Sequence, residues 1–253
     1  MIEVQGQYAV WFLLAVWAVV LAVYLRYDRL AYRRFKALTA TADRQRCFRN
    51  WIVQSALLFG GGAVLGLAIL GRLAALRSMP TEFLAVAAQL PKIPLHEHLD
   101  DFVLGAGIGI VGGIIAVIVV VRLGRKKKKP AKPMMLGDIE PILPRNVSER
   151  VWAALIALNA GWCEELFFRI LLPLLLTLAT GNALVGFGVA IAIFGLVHLY
   201  QGISGILATT VLGALFAAIY LITGNIWIAA AVHALVDLNG LLLQPLLRGR
   251  GAQ

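Results

Sequence analysis

Glu164, Glu165, Arg169, His198, His233 and Asp237 are the side chains of this sequence whose types and spacing can do chemistry. Between Val151 and Leu247 the only charged residues are the two glutamates, Arg169 and Asp237, and the same stretch holds two of the four histidines. A charge at bilayer depth is costly, so an ionisable residue in an apolar run is read first as functional. On a helix, residues four apart share a face. Glu165 and Arg169 can therefore pair within one helix, Phe194 and His198 share a face of a second, and His233 and Asp237 share a face of a third. Glu164 is turned about 100° from Glu165 by the helical period, so it points elsewhere. A carboxylate and two imidazoles converging in a low-dielectric interior suit acid–base work. The Glu accepts a proton from water, one His orients that water, and the second His donates to charge developing on a carbonyl oxygen. That is peptide-bond hydrolysis without a protein nucleophile. The chain has no nucleophile-elbow serine, Ser/Lys pair or H-E-x-x-H helix.

The elements that must position these groups are membrane helices. The chain is 60% hydrophobic and 14% charged, against about a quarter charged for a soluble domain. Its apolar runs are continuous and approach the roughly 20 residues a spanning helix needs, rather than alternating as in an outer-membrane barrel. The net charge of +10 is concentrated. Arg26 to Asn50 holds eight basic and two acidic residues, and Arg122 to Arg150 nine and three; Gly71 to Asp101 holds three and four. Basic segments beside spans follow the positive-inside rule, which accounts for the charge without a nucleic acid partner. Cys47 and Cys163 give no disulfide framework. The N-terminus lacks the basic start of a signal peptide, so the first apolar run is expected to remain as a span.

The expected fold is all-α: a polytopic bundle of about seven spans. Spans are expected near 7–25, 51–70, 102–121, 148–179, 182–199, 203–222 and 226–247. Trp11, Trp17 and Tyr24 mark the ends of the first, and Tyr32 to Phe35 suggest an interfacial amphipathic helix within the basic loop. Gly161 or Pro173 is expected to bend the fourth, which is too long for a perpendicular crossing. Residues 1–130 form an N-terminal three-span region with a basic cytoplasmic loop, 131–147 a Pro-rich linker, 148–247 a four-span core and 248–253 a tail. Helix starts are expected at Ser148-Glu149, at Asn182 and near Ile226. Seven spans put the N-terminus outside and the C-terminus in the cytoplasm of a bacterial-type inner membrane.

Other features are read as structural. Leu95-His96-Glu97-His98-Leu99-Asp100-Asp101 has metal-ligand residue types, but acids at a helix start explain it as well. Gly107 to Gly112 fits G-x-G-x-x-G without the strand and helix that a dinucleotide site needs, so these glycines are packing positions. Lys126 to Lys129 anchor topology and attract anionic lipid. Cys163 has no base in register and is expected to be inert. Asn159 and Asn239 are candidate hydrogen bonders near the acids. Trp152, Trp162 and Trp227 are read as interfacial or packing residues, and Tyr200 and Gln201 as lining an entrance beside His198.

Together Glu164-Glu165-x-x-x-Arg169, Phe194-x-x-x-His198 and His233-x-x-x-Asp237 resemble the CPBP family of intramembrane proteases. These are the CAAX-prenyl-protease-2 (Rce1-type) and Abi proteins. One E-E-x-x-x-R is weak; three motifs in the family's order, each on its own span, are strong. The resemblance covers about Arg150 to Gln244. It implies that Glu164 and His198 activate water and that His233 with Asp237 stabilises the oxyanion. Glu165 and Arg169 support the site, and Phe194 packs beside His198. The family position matching Asp237 is Asn or Asp; only Asn can donate a hydrogen bond, so Asp237 is expected to orient or charge His233. The implied partners are the bilayer and a membrane-embedded or lipidated peptide, with no cofactor. Three rival expectations remain. Glu164, His198 and His233 form a His2Glu set for zinc. The polar groups can hold helices together in an inactive scaffold or bacteriocin-immunity protein. Buried acids and histidines can also relay protons in a transporter, although no inverted repeat is visible.

Overall fold

The computed structural model describes residues 2–91 and 137–247, and the described residues are helical, with no strand. Helix α1 spans Ile2–Lys36. A short turn reverses the chain into α2, Thr41–Ser55, which runs through a π turn at Ala56–Gly61 into α3, Gly62–Ile69. Short helical turns follow at Leu73–Leu76 and Thr81–Phe83, then α4 at Leu84–Ala87. Beyond the undescribed segment come α5, Val147–Glu165, a π turn at Leu166–Leu171, and α6, Leu172–Thr180. Helices α7, Ala183–Val197, α8, Gly202–Thr223, and α9, Ile226–Leu238, complete the bundle. A third π turn at Asn239–Leu243 leads into α10, Gln244–Leu247.

Four helical stretches are long and apolar enough to cross a membrane: 6–36, 41–69, 199–223 and 226–243. They coincide with expected spans one, two, six and seven. Expected span five is the shorter apolar helix 183–197, and span four is the continuous helical stretch 147–180, whose acids and Arg169 interrupt its apolar character. The third expected span, the His96 to Asp101 cluster, the Gly107 to Gly112 run and Lys126 to Lys129 lie outside the described residues. Helix α8 leaves Ile203, Leu207, Val211 and Leu215 exposed at spacings of four. A bare apolar stripe of this kind suits lipid rather than water. The chain is an integral membrane protein.

Two expectations about the N-terminal part are corrected. Helix α1 does not stop near Leu25 but continues to Lys36. No Gly or Pro interrupts Arg26 to Lys36, and Arg, Lys, Leu and Ala are strong helix formers. Tyr32 and Phe35 are buried in the protein rather than laid on an interface, and Phe35 packs on Phe48 and Trp51 of α2. The segment after α3 is not simply an outer loop. Its described part, 71–91, turns back and buries Phe83, Val86 and Ala87, with the Phe83 ring 4.8 Å from that of Phe187. Arg72 and Glu82 tie this fold-back together at 2.7 Å.

The start of α5 is also firmer than expected. Asn146, not Ser148, is its cap, accepting the Glu149 N–H at 2.9 Å. Glu149 accepts the Arg145 N–H in return and pairs with fully buried Arg44 of α2 at 3.0 Å. Arg44 also donates to the carbonyls of Pro141 and Leu143. Lys36 pairs with Asp138, and Tyr32 donates to the Asp138 carbonyl. The proline-containing strap is thus bonded to the α1–α2 hairpin along its described length.

Within the bundle, Thr180-Gly181-Asn182 and Thr223-Gly224-Asn225 make equivalent turns. Gly181 and Gly224 close their helices at φ 70° and 67°, the left-handed conformation that glycine reaches without penalty. Asn182 and Asn225 then cap the next helix. Such short turns make successive helices antiparallel neighbours. Helix α9 returns against α5 at Gly161, where an added Cβ would lie 2.7 Å from the Ala230 carbonyl oxygen and 2.8 Å from Ala234. Close backbone approach of this kind is how membrane helices pack without a hydrophobic driving force. Gly161→Val is expected to part α5 from α9 and cost about 1–3 kcal/mol, read as earlier unfolding in detergent; unchanged stability would refute the close-packing assignment.

Candidate active site

Glu164 and Glu165 stand at the last turn of α5, where the helix widens into the π turn that carries Arg169. Pro173 follows two residues into the next stretch. It has no N–H for the carbonyl four residues earlier, that of Arg169, and its ring crowds that carbonyl. A π turn just before it relieves both, and single π turns concentrate at functional sites. The π turn lies between Gly161 and Pro173, the two residues named as candidate bends.

The Glu165–Arg169 pair forms as expected, with Nε 3.1 Å from Oε2 and both side chains fully buried. The contact is ionic rather than hydrogen-bonded. The guanidinium instead lies over rings, 4.5 Å from the centroid of Phe194 and 5.8 Å from that of Phe216, where ring faces attract a cation. Phe194 therefore supports Arg169 as well as His198, whose ring is 4.9 Å away.

The other Glu165 oxygen does what the sequence could not show. It accepts the His233 Nδ1–H at 2.9 Å, across 68 positions of chain. His233 is buried, and the Phe216 ring stacks on it at 4.5 Å. Its Nε2 is 3.6 Å from Asp237 Oδ2, too long for a hydrogen bond but close enough for the two charges to interact. His198 caps α7 and sets its Nδ1 2.7 Å from the Phe194 carbonyl oxygen. A carbonyl only accepts, so Nδ1 carries the proton and Nε2 keeps its lone pair.

Glu164, His198, His233 and Asp237 line one cavity of about 790 Å³. Phe216, Val211 and Leu212 of α8 supply apolar wall, and Gln201 and Tyr200 also line it. Glu164 Oε2 is enclosed and makes no hydrogen bond among the described residues. Glu164 is the carboxylate that Arg169 does not claim. Among the described residues no group of three His, Cys, Asp or Glu side chains is placed to hold a metal ion, the Glu164, His198 and His233 set included.

The remaining candidates divide. Asn159 accepts from the Cys163 thiol at 3.5 Å and lines a smaller cavity beside Glu164. Asn239 is exposed in the last π turn. Trp162 and Trp227 pack on each other at 4.2 Å. Buried Arg44 was hidden in sequence by the basic run around it. Its signal is the spacing of Arg44, Phe48 and Trp51, which puts a cation on the aromatic face of α2.

Among the described residues, acids and imidazoles from three helices, Glu164, His198, His233 and Asp237, line one interior cavity. Residues 146–239 contain all four. They match the sequence model of the family described as type II CAAX prenyl endopeptidase Rce1-like, so the chain carries an Rce1-like domain, consistent with a CPBP family protease. Characterised proteins and solved structures give no match.

Proposed function

We propose that the chain is an intramembrane endopeptidase that cleaves a membrane-embedded or lipidated protein with water activated by Glu164. One observation carries the reading: the unclaimed carboxylate of Glu164 and both motif histidines line a single cavity inside the Rce1-like domain. Glu164 takes a proton from water, and His198 Nε2 orients that water through its lone pair. The water oxygen bonds to the substrate carbonyl carbon. His233 as the imidazolium, with Glu165 and Asp237 beside it, donates its Nδ1–H to Glu165 and leaves its Nε2–H for the oxyanion. The C–N bond then breaks, and the proton held by Glu164 passes to the leaving amine. Asp237 acts through His233. In this reading a substrate enters from the lipid past Leu207 and Val211, which are exposed on the cavity wall, and the basic end of the α1–α2 hairpin is assigned to the cytoplasmic side by the positive-inside rule.

His198→Ala tests this. Its one bond, to a carbonyl of its own helix, holds no other element in place, so the fold is expected to survive. Cleavage is expected to fall by about 10²-fold or more, and proteomics of cells carrying the variant should show one accumulating precursor. Wild-type processing in that strain would sink the protease reading. Extensive dialysis against a chelator is expected to leave activity unchanged; loss restored only by zinc would transfer the mechanism to a metal held by Glu164, His198 and His233. Proton-coupled flux in liposomes would instead favour a transporter.

A further inference from the structure

Behind Glu164 lies a second cavity of about 110 Å³, between α5 and the α1–α2 hairpin. Tyr24, Asp28 and Tyr32, spaced by four on one face of α1, line it together with Ser55, Asn159 and Glu164. Three oxygens carried by its lining residues, Asp28 Oδ2, Ser55 Oγ and Glu164 Oε2, are enclosed and make no hydrogen bond among the described residues. They come from three different helices. An enclosed polar oxygen without a partner costs about 1–3 kcal/mol, and three on residues that line one space can be satisfied together by water drawn into it. The space holds on the order of three waters, each needing two to four polar partners. Glu164 lines both this chamber and the larger cavity, together with Ile142, Ile156, Ala160 and Tyr200, so its carboxyl belongs to the wall the two share.

We infer that Asp28 and Ser55 hold a water chamber behind Glu164 that orients its carboxyl and resupplies the water consumed at each turnover. The catalytic part of this inference rests on the endopeptidase reading above. Asp28 is a positioning residue: it acts on Glu164 through water and touches no substrate. Each cleavage consumes one water, whose oxygen and one hydrogen remain on the new carboxyl while the other hydrogen leaves on the amine. The chamber therefore restores a molecule, and no net proton has to be carried away. The N-terminal hairpin, outside the Rce1-like domain, thereby becomes part of the site.

The test uses the full chain in lipid nanodiscs. Water-derived hydroxyl radicals from an X-ray pulse label side chains beside bound water. Tyr24 is expected to be oxidised in the wild type and several-fold less in Asp28→Leu, while Phe83, fully buried against Phe187, is unlabelled in both. Tyr24 labelling that does not change in Asp28→Leu overturns the chamber. With a farnesylated CAAX peptide as probe, Asp28→Leu is expected to lower kcat at least ten-fold with KM within two-fold, and Asp28→Asn to recover part of the loss. A wild-type kcat in Asp28→Leu overturns the catalytic role. Glu164→Gln, measured alongside, separates the two ideas: if it also cleaves normally, the endopeptidase reading fails, and the labelling still decides the chamber. Should Asp28→Leu not fold, Asp28→Asn combined with Ser55→Ala is read by the same labelling.

Discussion

Glu164→Gln is expected to lower peptide cleavage by about 10²–10⁴-fold, the range for removing a general base, while the protein unfolds at its wild-type temperature. The two halves of this expectation come from different observations. The amide has the shape of the carboxylate but cannot accept a proton from water. It also breaks no structural bond, because Glu164 Oε2 makes none with the described residues and Arg169 is paired with Glu165 instead. Shortening the side chain should act similarly through distance: Glu164→Asp keeps the charge but withdraws it by one methylene, and misplacement by about 1 Å can cost about 10²-fold. Cleavage by purified full-length protein in liposomes and thermal unfolding in detergent measure the two halves separately. Activity within two-fold of wild type in Glu164→Gln would remove Glu164 from the chemistry. A cellular phenotype that survives this substitution would point to the scaffold or immunity reading, in which the residue is only a packed polar group.

Much of this site could be read before any fold was known, because its parts are local. Glu165 and Arg169 are four apart, and the pair is there; so is the shared face of His233 and Asp237. That Glu164 is the odd carboxylate follows from one residue of helical phase. Features made by packing were not legible. The bond between Glu165 and His233 exists because α9 lies on α5 at Gly161, and spacing says nothing about contacts across 68 positions. Arg44 sat in a run of basic residues that topology alone explained, so its burial against Glu149 was hidden. Asp28 was counted as one acid in a basic loop, although Tyr24 and Tyr32 one turn to either side gave it a polar face. Helix α1 runs eleven residues beyond the expected end of its span at Leu25 because Arg26 to Lys36 contain no Gly or Pro and are rich in good helix formers. The fold-back at 71–91 was missed for the converse reason: short apolar groups such as Phe83 and Val86 carry too little periodicity to show a buried face.

Glu165→Gln is expected to be the most damaging conservative change for stability, at about 3–5 kcal/mol, the usual loss when one partner of a buried ion pair is removed. Glu165 is fully buried and serves two cationic or donor groups at once, Arg169 Nε at 3.1 Å and His233 Nδ1 at 2.9 Å. Among the described residues Arg169 has no other carboxylate at salt-bridge distance and makes no hydrogen bonds; its remaining neighbours of note are the faces of Phe194 and Phe216. Ring faces stabilise a guanidinium by about 0.5–2 kcal/mol, less than the loss of a charge partner. The double variant Glu165→Gln/Arg169→Met separates charge from shape. Replacing a buried pair by apolar or neutral groups is often close to neutral, so the double variant is expected to recover most of the stability lost in the single one. It should not recover cleavage, because His233 still lacks the carboxylate that fixes its Nδ1 and frees Nε2 for the oxyanion. Unfolding in detergent of the two single variants and the double variant gives the coupling energy directly. A Glu165→Gln protein as stable as wild type would show that the pair does not hold α5 in place, and a fully active double variant would remove Glu165 from the positioning of His233.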